Sequence, residues 1–221
     1  MRSVPSLFEV VRGSGVVRAL GRWLLRSVYS RQRQLITIKR LDRRRAAPPL
    51  IHGVECVIVD SPDALSPLAH EIPAGFRDSA EELERRVSAG CVLCLARAKR
   101  DDGTGMTVIG YELAERGVFS ALGRRVPVAH DVVFSHWAEV LPAYRGRRVH
   151  GLLFAVRDAY FRDQGATVVC GVCTPQNRAS LHALRRDGAE VVGAVERVTL
   201  LRSFAAWQTP VERIEAAIAQ V

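Results

Sequence analysis

The chain has 221 residues, of which 48% are hydrophobic and 25% are charged, which is the balance of a globular protein with one sizeable core. Its formal net charge is +9, but residues 1–45 carry 12 Lys and Arg against 2 Asp and Glu, so the rest of the chain is close to neutral. Clustered positive charge points to a polyanionic surface, either anionic lipid or nucleic acid. A solvated basic leader is the alternative.

Hydrophobic stretches are too short to cross a bilayer. No apolar run approaches the ~18 residues that a membrane span needs, because Arg or Glu interrupts each one. Glu9 and Arg12 interrupt the apolar segment that a secretion signal would require. We therefore expect a cytoplasmic protein.

Residues 1–49 are predicted to form a basic amphipathic arm and linker, with a short strand at Leu35–Leu41. Between Val16 and Val28 apolar residues recur at helical spacing, and arginines lie on the opposite side. Such a helix either lies on an anionic membrane, with residues 16–45 supplying the charge, or packs on the domain or on a second subunit in a homodimer. Nucleic-acid binding is disfavoured, because few aromatic side chains are interleaved with the basic ones.

From residue 50 onwards strands and helices alternate, which predicts an α/β domain over residues 50–203 with a mixed sheet of about six or seven strands. Asp101-Asp102-Gly103 predicts a hairpin turn between antiparallel strands. Thr209-Pro210-x-Glu212 predicts a helix within the last segment, residues 204–221. The predicted strands are Val54–Val59, Cys91–Ala98, Met106–Ala114, His130–Val140, Thr167–Val172 and Val191–Leu201, and the predicted helices are Pro62–His70, Ser79–Ser88, 147–164 and Asn177–Asp187.

The segment from Glu139 to Leu153 runs from a strand, through a loop with three arginines, into a helix. Free backbone N–H groups and the positive end of the helix dipole meet those arginines at the helix N-terminus, and this predicts a pyrophosphate site. Gly146 and Gly151 would let the backbone approach such a ligand closely.

The same segment resembles the acyl-CoA signature of the GNAT acetyltransferase superfamily, a strand ending Val-x-Pro-x-Tyr and a turn Arg-Gly-x-Gly-x-Gly/Ala. Asn177 to Ala189 resembles the superfamily's next motif, Asn-x-x-Ala/Ser followed by a helix and Gly-Phe. The resemblance covers about two-thirds of the chain and implies the GNAT fold, an α+β mixed sheet. Two residues depart from this pattern. Arg148 stands where the family usually has Gly, and His150 stands where it usually has Gly or Ala.

The resemblance further implies an acyl-CoA, acetyl-CoA or longer, as co-substrate and an amine as acceptor. It implies that the fourth and fifth predicted strands splay apart around the pantetheine, which bonds to the backbone of Glu139, Val140 and Leu141. Asn177 and Ser180 would approach the pantetheine, although Asn177 alternatively only caps its helix. The residues implied for the pyrophosphate are Arg145, Gly146, Arg147, Arg148, Val149, His150 and Gly151.

Acyl transfer to an amine needs a base that removes the ammonium proton and an acid or water that protonates the leaving thiolate. Glu139 is our base candidate, and a solvent-facing strand glutamate is the alternative. His136 and His182 are weaker candidates. Leu184 stands where many family members have a tyrosine acid, so two functions stay open: an N-acyltransferase, or a catalytically silent acyl-CoA-binding or interaction module.

Two cysteine pairs, Cys91-x-x-Cys94 and Cys170-x-x-Cys173, have the spacing of zinc half-sites. Both pairs fall in predicted strands, where residues three apart point to opposite faces. We therefore expect reduced core thiols and no metal.

Overall fold

The computed structural model describes residues 29–41, 50–100, 102–200, 204–207 and 216. Its helices are α1 (Pro62–Leu65), α2 (Ala80–Ser88), α3 (Val149–Asp163) and α4 (Arg178–Asp187), with 3-10 turns at Ser66–Glu71 and Pro142–Tyr144. Its strands are β1 (Tyr29–Arg40), β2 (Val54–Val59), β3 (Val92–Lys99), β4 (Met106–Arg116), β5 (Val118–Ala121), β6 (Arg124–Pro127), β7 (Val132–Val140), β8 (Val168–Cys173), β9 (Glu190–Leu200) and β10 (Phe204–Trp207).

Eight strands form one mixed sheet in the order β10-β9-β1-β8-β7-β4-β3-β2, and β5 and β6 form a separate hairpin. Neighbouring strands are antiparallel except β7 and β8, which are parallel and are joined through α3. Parallel neighbours require such a crossover, because the chain must return to the starting edge of the sheet. The mixed α+β architecture agrees with the sequence-based prediction.

Both faces of the sheet are covered, and an apolar core lies between the sheet and the elements on each face. On one face, here called the hairpin face, α1, the first 3-10 turn and α2 pack over β3 and β4, with Leu65, Leu83 and Leu93 fully buried. The β5–β6 hairpin covers β1, β7 and β8 on that face. The opposite face, here called the helix face, is covered by α3, whose Leu153 and Phe161 are buried.

β1 lies in the middle of the sheet, which corrects the predicted domain boundary at residue 49. It pairs with β8 from Leu35↔Cys173 to Arg40↔Val168 and with β9 on its other side. Ile36 and Ile38 are 2% and 1% exposed, so this segment belongs to the domain core. The sequence located part of this strand but not its partners. The amphipathic segment Val16–Val28 lies outside the described residues.

The sheet also continues past the predicted C-terminal boundary at residue 203, because Phe204–Trp207 pairs with β9 as an edge strand. The predicted C-terminal helix therefore does not begin at residue 204, and its capping sequence lies outside the described residues. Within the described part of the chain no helix is both long and apolar enough to span a membrane.

The helix caps agree with the sequence-based predictions. The Ser79 hydroxyl accepts the N–H of Glu82, and Gly165 and Gly188 have the left-handed backbone that ends α3 and α4. Between β3 and β4 the chain turns through Gly103 into an antiparallel pair, as the Asp-Asp-Gly sequence predicts.

Candidate active site

A gap opens in the sheet where β7 and β8 part. Their last register pair is Ser135 with Gly171. Beyond it, β7 continues to Val140 against β4, whereas β8 continues to Cys173 against β1. The two parallel strands therefore diverge toward their carboxyl ends and leave a wedge between them. This is the splay that the sequence motif implied.

Two backbone groups at the end of β7 already have hydrogen-bond partners within the protein. The Leu141 N–H donates to the Ile109 carbonyl of β4 at 2.9 Å, so it points away from the gap. The Val140 carbonyl accepts a bond from Arg145 Nε at 3.0 Å. Arg145, which we expected at the pyrophosphate, is therefore anchored on the strand end by one of its guanidinium nitrogens.

The loop after β7 turns through two left-handed residues before α3 begins at Val149. Gly146 has φ +77° and Arg148 has φ +65°. Arg148 stands where the family pattern has glycine, and the backbone keeps the conformation that glycine would favour, at a cost of about 1–2 kcal/mol for a residue with a Cβ. Arg145, Arg147 and Arg148 are exposed around this turn. No side chain caps the first turn of α3, so its N–H groups face the loop.

The first residues of α3 differ in burial. Val149 is 2% exposed and belongs to the helix-face core, whereas Gly151 is exposed. The His150 ring lies against Phe154 at 4.4 Å and is half-buried. Burial, and secondarily the Arg157 charge, lower the pKa of His150 to about 4. His150 is therefore a neutral packing residue at neutral pH rather than a cation for phosphate.

Across the wedge, α4 begins after β8. Asn177 Oδ1 accepts the Ser180 N–H at 3.1 Å, so Asn177 is the N-cap of α4. The cap leaves the exposed amide end of Asn177 at the carboxyl end of β8. Leu184 is half-buried on α4, and His182 is exposed.

On the hairpin face, Glu139 is held at the end of β7 by the loop that precedes α2. Its Oε2 accepts the backbone N–H of Arg77 at 3.0 Å and lies 3.5 Å from the Tyr111 hydroxyl. Tyr111 is the register partner of Glu139 on β4. These contacts leave Oε1 without a hydrogen-bond partner among the described residues. The carboxylate is therefore oriented and half-buried, which differs from a freely solvated strand glutamate.

Beside Glu139 lies a polar cluster that sequence analysis missed. Asp78 Oδ2 accepts the Tyr111 hydroxyl and the Trp137 indole N–H, each at 2.7 Å. Burial, followed by the bond to Asp78, raises the pKa of Tyr111 above its usual range, so the phenol stays a donor. The guanidinium groups of Arg77 and Arg86 lie 5.1 and 4.1 Å from the Trp137 ring centre. No sequence motif marks these residues, because they come from a loop, from α2 and from two strands.

The helix face carries a buried charge network behind the wedge. Arg157 of α3 forms ion pairs with Glu112 of β4 and with Asp158. Lys39 of β1 pairs with Asp158 and with Asp187 of α4. Burial raises the pKa of Glu112. The network ties β1 to both helices, so the N-terminal strand supports the wall of the candidate site.

The cysteine pairs do not converge. Cys91 lies in the hairpin-face core and Cys94 in the helix-face core. The first pair lies at the start of β3, with Cys91 directly before it, and the second pair lies in β8. β4 and β7 separate these two strands. At ~4.8 Å per strand the pairs are roughly 14 Å apart, too far for one ion. Burial raises the pKa of Cys170 to about 12 and that of Cys91 to about 11.

Among the described residues one cluster of metal-type side chains forms, from Cys91, Glu115 and His136. Glu115 already pairs with Arg125 and bonds to His136 Nε2 at 3.0 Å. Burial lowers the pKa of His136. Hydrogen bonds and an ion pair therefore account for this cluster, and we assign no metal to it.

Comparison with known proteins supports the fold alone. No family model and no curated protein matches the sequence. A solved tandem GNAT protein from the clavulanic acid biosynthesis pathway is 15% identical, with a TM-score of 0.53 over 91% of this chain and 61% of that chain. A solved Drosophila protein is 16% identical, with a TM-score of 0.50 over 84% of this chain and 57% of that chain. The chain thus spans less than two-thirds of either structure. From the splayed strands, the loop and these likenesses we conclude that the chain has the GNAT fold.

Proposed function

We propose that this chain is an N-acyltransferase that moves an acyl group, in the first instance acetyl, from a CoA thioester to an amine. The observation that carries the proposal is the wedge between β7 and β8, whose pairing ends at Ser135 and Gly171. An extended pantetheine fits such a wedge, because β7 beyond Ser135 no longer pairs with β8. The tandem GNAT structure of the same fold is described as lacking acetyl-CoA, which names the ligand class of that protein.

The pyrophosphate of CoA is assigned to the turn at the start of α3. Unpaired N–H groups and the positive end of the helix dipole favour an anion there. The exposed arginines of the turn add charge-assisted hydrogen bonds. Arg147 and Arg148 are the side chains that we assign to the phosphates, because Arg145 is partly engaged with Val140.

Glu139 is assigned as the base. Its Oε2 is held by the Arg77 N–H, which leaves Oε1 for the acceptor ammonium or an intervening water. Glu139 takes one proton from the ammonium group, and the neutral amine attacks the thioester carbonyl. The C–S bond then breaks, the amide nitrogen releases its second proton to water, and the CoA thiolate takes a proton from water. Water is the donor in this scheme because Leu184 replaces the phenol that many family members use.

The alternative from the sequence, a silent acyl-CoA-binding module, rests on Leu184 and on the altered loop. It shares the CoA site but has no turnover. The two functions are therefore distinguished by release of free CoA thiol from acetyl-CoA in the presence of amines, and not by binding.

The test pairs turnover with binding. Acetyl-CoA at millimolar concentration should raise the melting temperature, because a ligand exclusive to the native state stabilises it by mass action. Glu139→Gln keeps an acceptor for the Arg77 N–H and should lower turnover about 100-fold while CoA affinity is retained. Glu84→Gln, on the exposed side of α2, is the matched control.

Two outcomes would contradict the proposal. Absence of any melting shift with acetyl-CoA or longer acyl-CoA would remove the ligand class. If acetyl-CoA raises the melting temperature but no tested amine leads to release of free CoA thiol, the silent module would be favoured.

A further inference from the structure

Asp78 differs from the other buried carboxylates of the described chain. Glu71, Glu112, Glu115 and Asp158 are each less than one-tenth exposed, and each forms an ion pair with Arg or Lys. Asp78 is 7% exposed, and its partners are two neutral donors, the Tyr111 hydroxyl and the Trp137 indole.

The two guanidinium groups beside Trp137 make other contacts, and that of Arg86 forms an ion pair with Glu82. Those of Arg77 and Arg86 lie over the Trp137 ring, and among the described residues neither forms an ion pair with Asp78 within 4.0 Å. A buried charge without a counter-ion destabilises a fold, and neutral hydrogen bonds offset only part of its desolvation. A cation that binds beside such a carboxylate offsets the remaining desolvation cost of its charge.

Asp78 is adjacent to the proposed base. The Tyr111 hydroxyl is 2.7 Å from Asp78 Oδ2 and 3.5 Å from Glu139 Oε2, so one phenol separates the two carboxylates. A cation that approaches Glu139 therefore feels both negative charges in a partly desolvated site, where Coulomb interactions exceed their strength in water.

We propose that Asp78 is the second carboxylate of the acceptor site, and that the cation completing it is the ammonium group of an acceptor without a neighbouring acid. This deepens the proposed function, on which it rests. The favoured class is alkylamines, diamines and lysine-type side chains, and the disfavoured class is amines that carry a carboxylate close by. Asp78 acts as a specificity-determining and positioning residue, since both of its hydrogen bonds are to protein and Glu139 remains the base.

Asp78→Asn separates charge from structure. The amide oxygen of Asn accepts the same two hydrogen bonds, so only the negative charge is lost. Asp60→Asn is the matched control, because Asp60 also accepts a tyrosine hydroxyl, that of Tyr160 at 2.9 Å, but is exposed. If Asp78 is an uncompensated charge, Asp78→Asn raises the melting temperature by about 2 °C or more, and Asp60→Asn does not.

The acceptor test uses three amines with the same four-carbon chain: butylamine, 1,4-diaminobutane and 4-aminobutanoate. In the unmodified protein kcat/KM should fall in the order diamine, monoamine, amino acid. Asp78→Asn should raise the KM of butylamine about tenfold and reduce its preference over 4-aminobutanoate by a similar factor, with a smaller change in kcat.

The failures are distinguishable. Thiol release by the unmodified protein combined with an unchanged KM and acceptor order in Asp78→Asn overturns the role of Asp78 and leaves the proposed function standing. No thiol release by the unmodified protein overturns the proposed function. In that case butylamine should still raise the melting temperature of the unmodified protein but not that of Asp78→Asn, and equal behaviour of the two proteins overturns the cation site.

Discussion

Ile38 provides the sharpest test of the architecture, because sequence and structure predict opposite results for its substitution. If residues 1–49 were an arm outside the domain, Ile38→Ala would be nearly neutral. In the structure Ile38 is 1% exposed, lies opposite Cys170 of β8, and packs beneath the β5–β6 hairpin. The side chain therefore belongs to the domain core.

The expected loss follows from what the substitution removes. About three buried carbons at ~0.8 kcal/mol each, with a further ~1 to 2 kcal/mol for the cavity, lower the free energy of unfolding by about 4 kcal/mol. The cavity collapses poorly because strands bound the site on both sides. A loss of this size is a large share of the roughly 5–15 kcal/mol that stabilises a domain.

The assay is urea denaturation followed by tryptophan fluorescence and circular dichroism. The midpoint should fall with an unchanged slope, which shows that the two states keep their compactness. Leu50→Ala is the control, since Leu50 is fully exposed at 101% and should change stability by less than about 0.5 kcal/mol. Equal effects of the two substitutions would refute the position of β1 in the sheet.

Further tests address the loop, the helix start and the arm. Arg148→Gly should raise the free energy of unfolding by about 1 kcal/mol, since glycine has no Cβ to strain at φ +65°, whereas Arg147→Gly should lower it by about 0.5–1 kcal/mol in the same denaturation assay. His150 has a pKa lowered to about 4, so folding favours its neutral form, and stability is complete above the unfolded pKa of about 6.5 and is lost as pH falls toward 4. In denaturation measured at several pH values, His150→Gln should reduce the loss of unfolding free energy between about pH 6.5 and pH 4. If the unfolding free energy of the variant falls with pH as steeply as that of the unmodified protein, His150 is not the group responsible. Deleting residues 1–28 should abolish flotation with anionic vesicles and leave a folded domain that binds CoA, because β1 is retained; vesicle binding by the truncated protein would contradict the membrane hypothesis.

Much of the domain followed from local patterns. The capping serine at Ser79, the glycine at Gly188 and the apolar stripe of α3 each act within a few residues, so their helices were predicted to within about two residues. The loop at Arg145 was predicted to precede a helix N-terminus for the same reason.

The parts that failed depend on distant partners. Leu35 pairs with Cys173 and with Ala194, and a period-two pattern in one strand carries no information about which strand lies beside it. The predicted hairpin succeeded because its partners, β3 and β4, are joined by a short turn. Sequence separation therefore decided which pairings were predictable.

For the candidate site the same division holds. The sequence alone predicted the helix start to which we assign the pyrophosphate, the strand that carries Glu139 and, as one of two alternatives, the cap at Asn177, since each depends on neighbouring residues. Only the tertiary structure brought Asp78 and Tyr111 beside Glu139, because a loop and two strands supply them. Chain order places these groups far apart, and the hydrophobic packing of the sheet brings them together. That packing also leaves Asp78 buried with no ion-pair partner among the described residues.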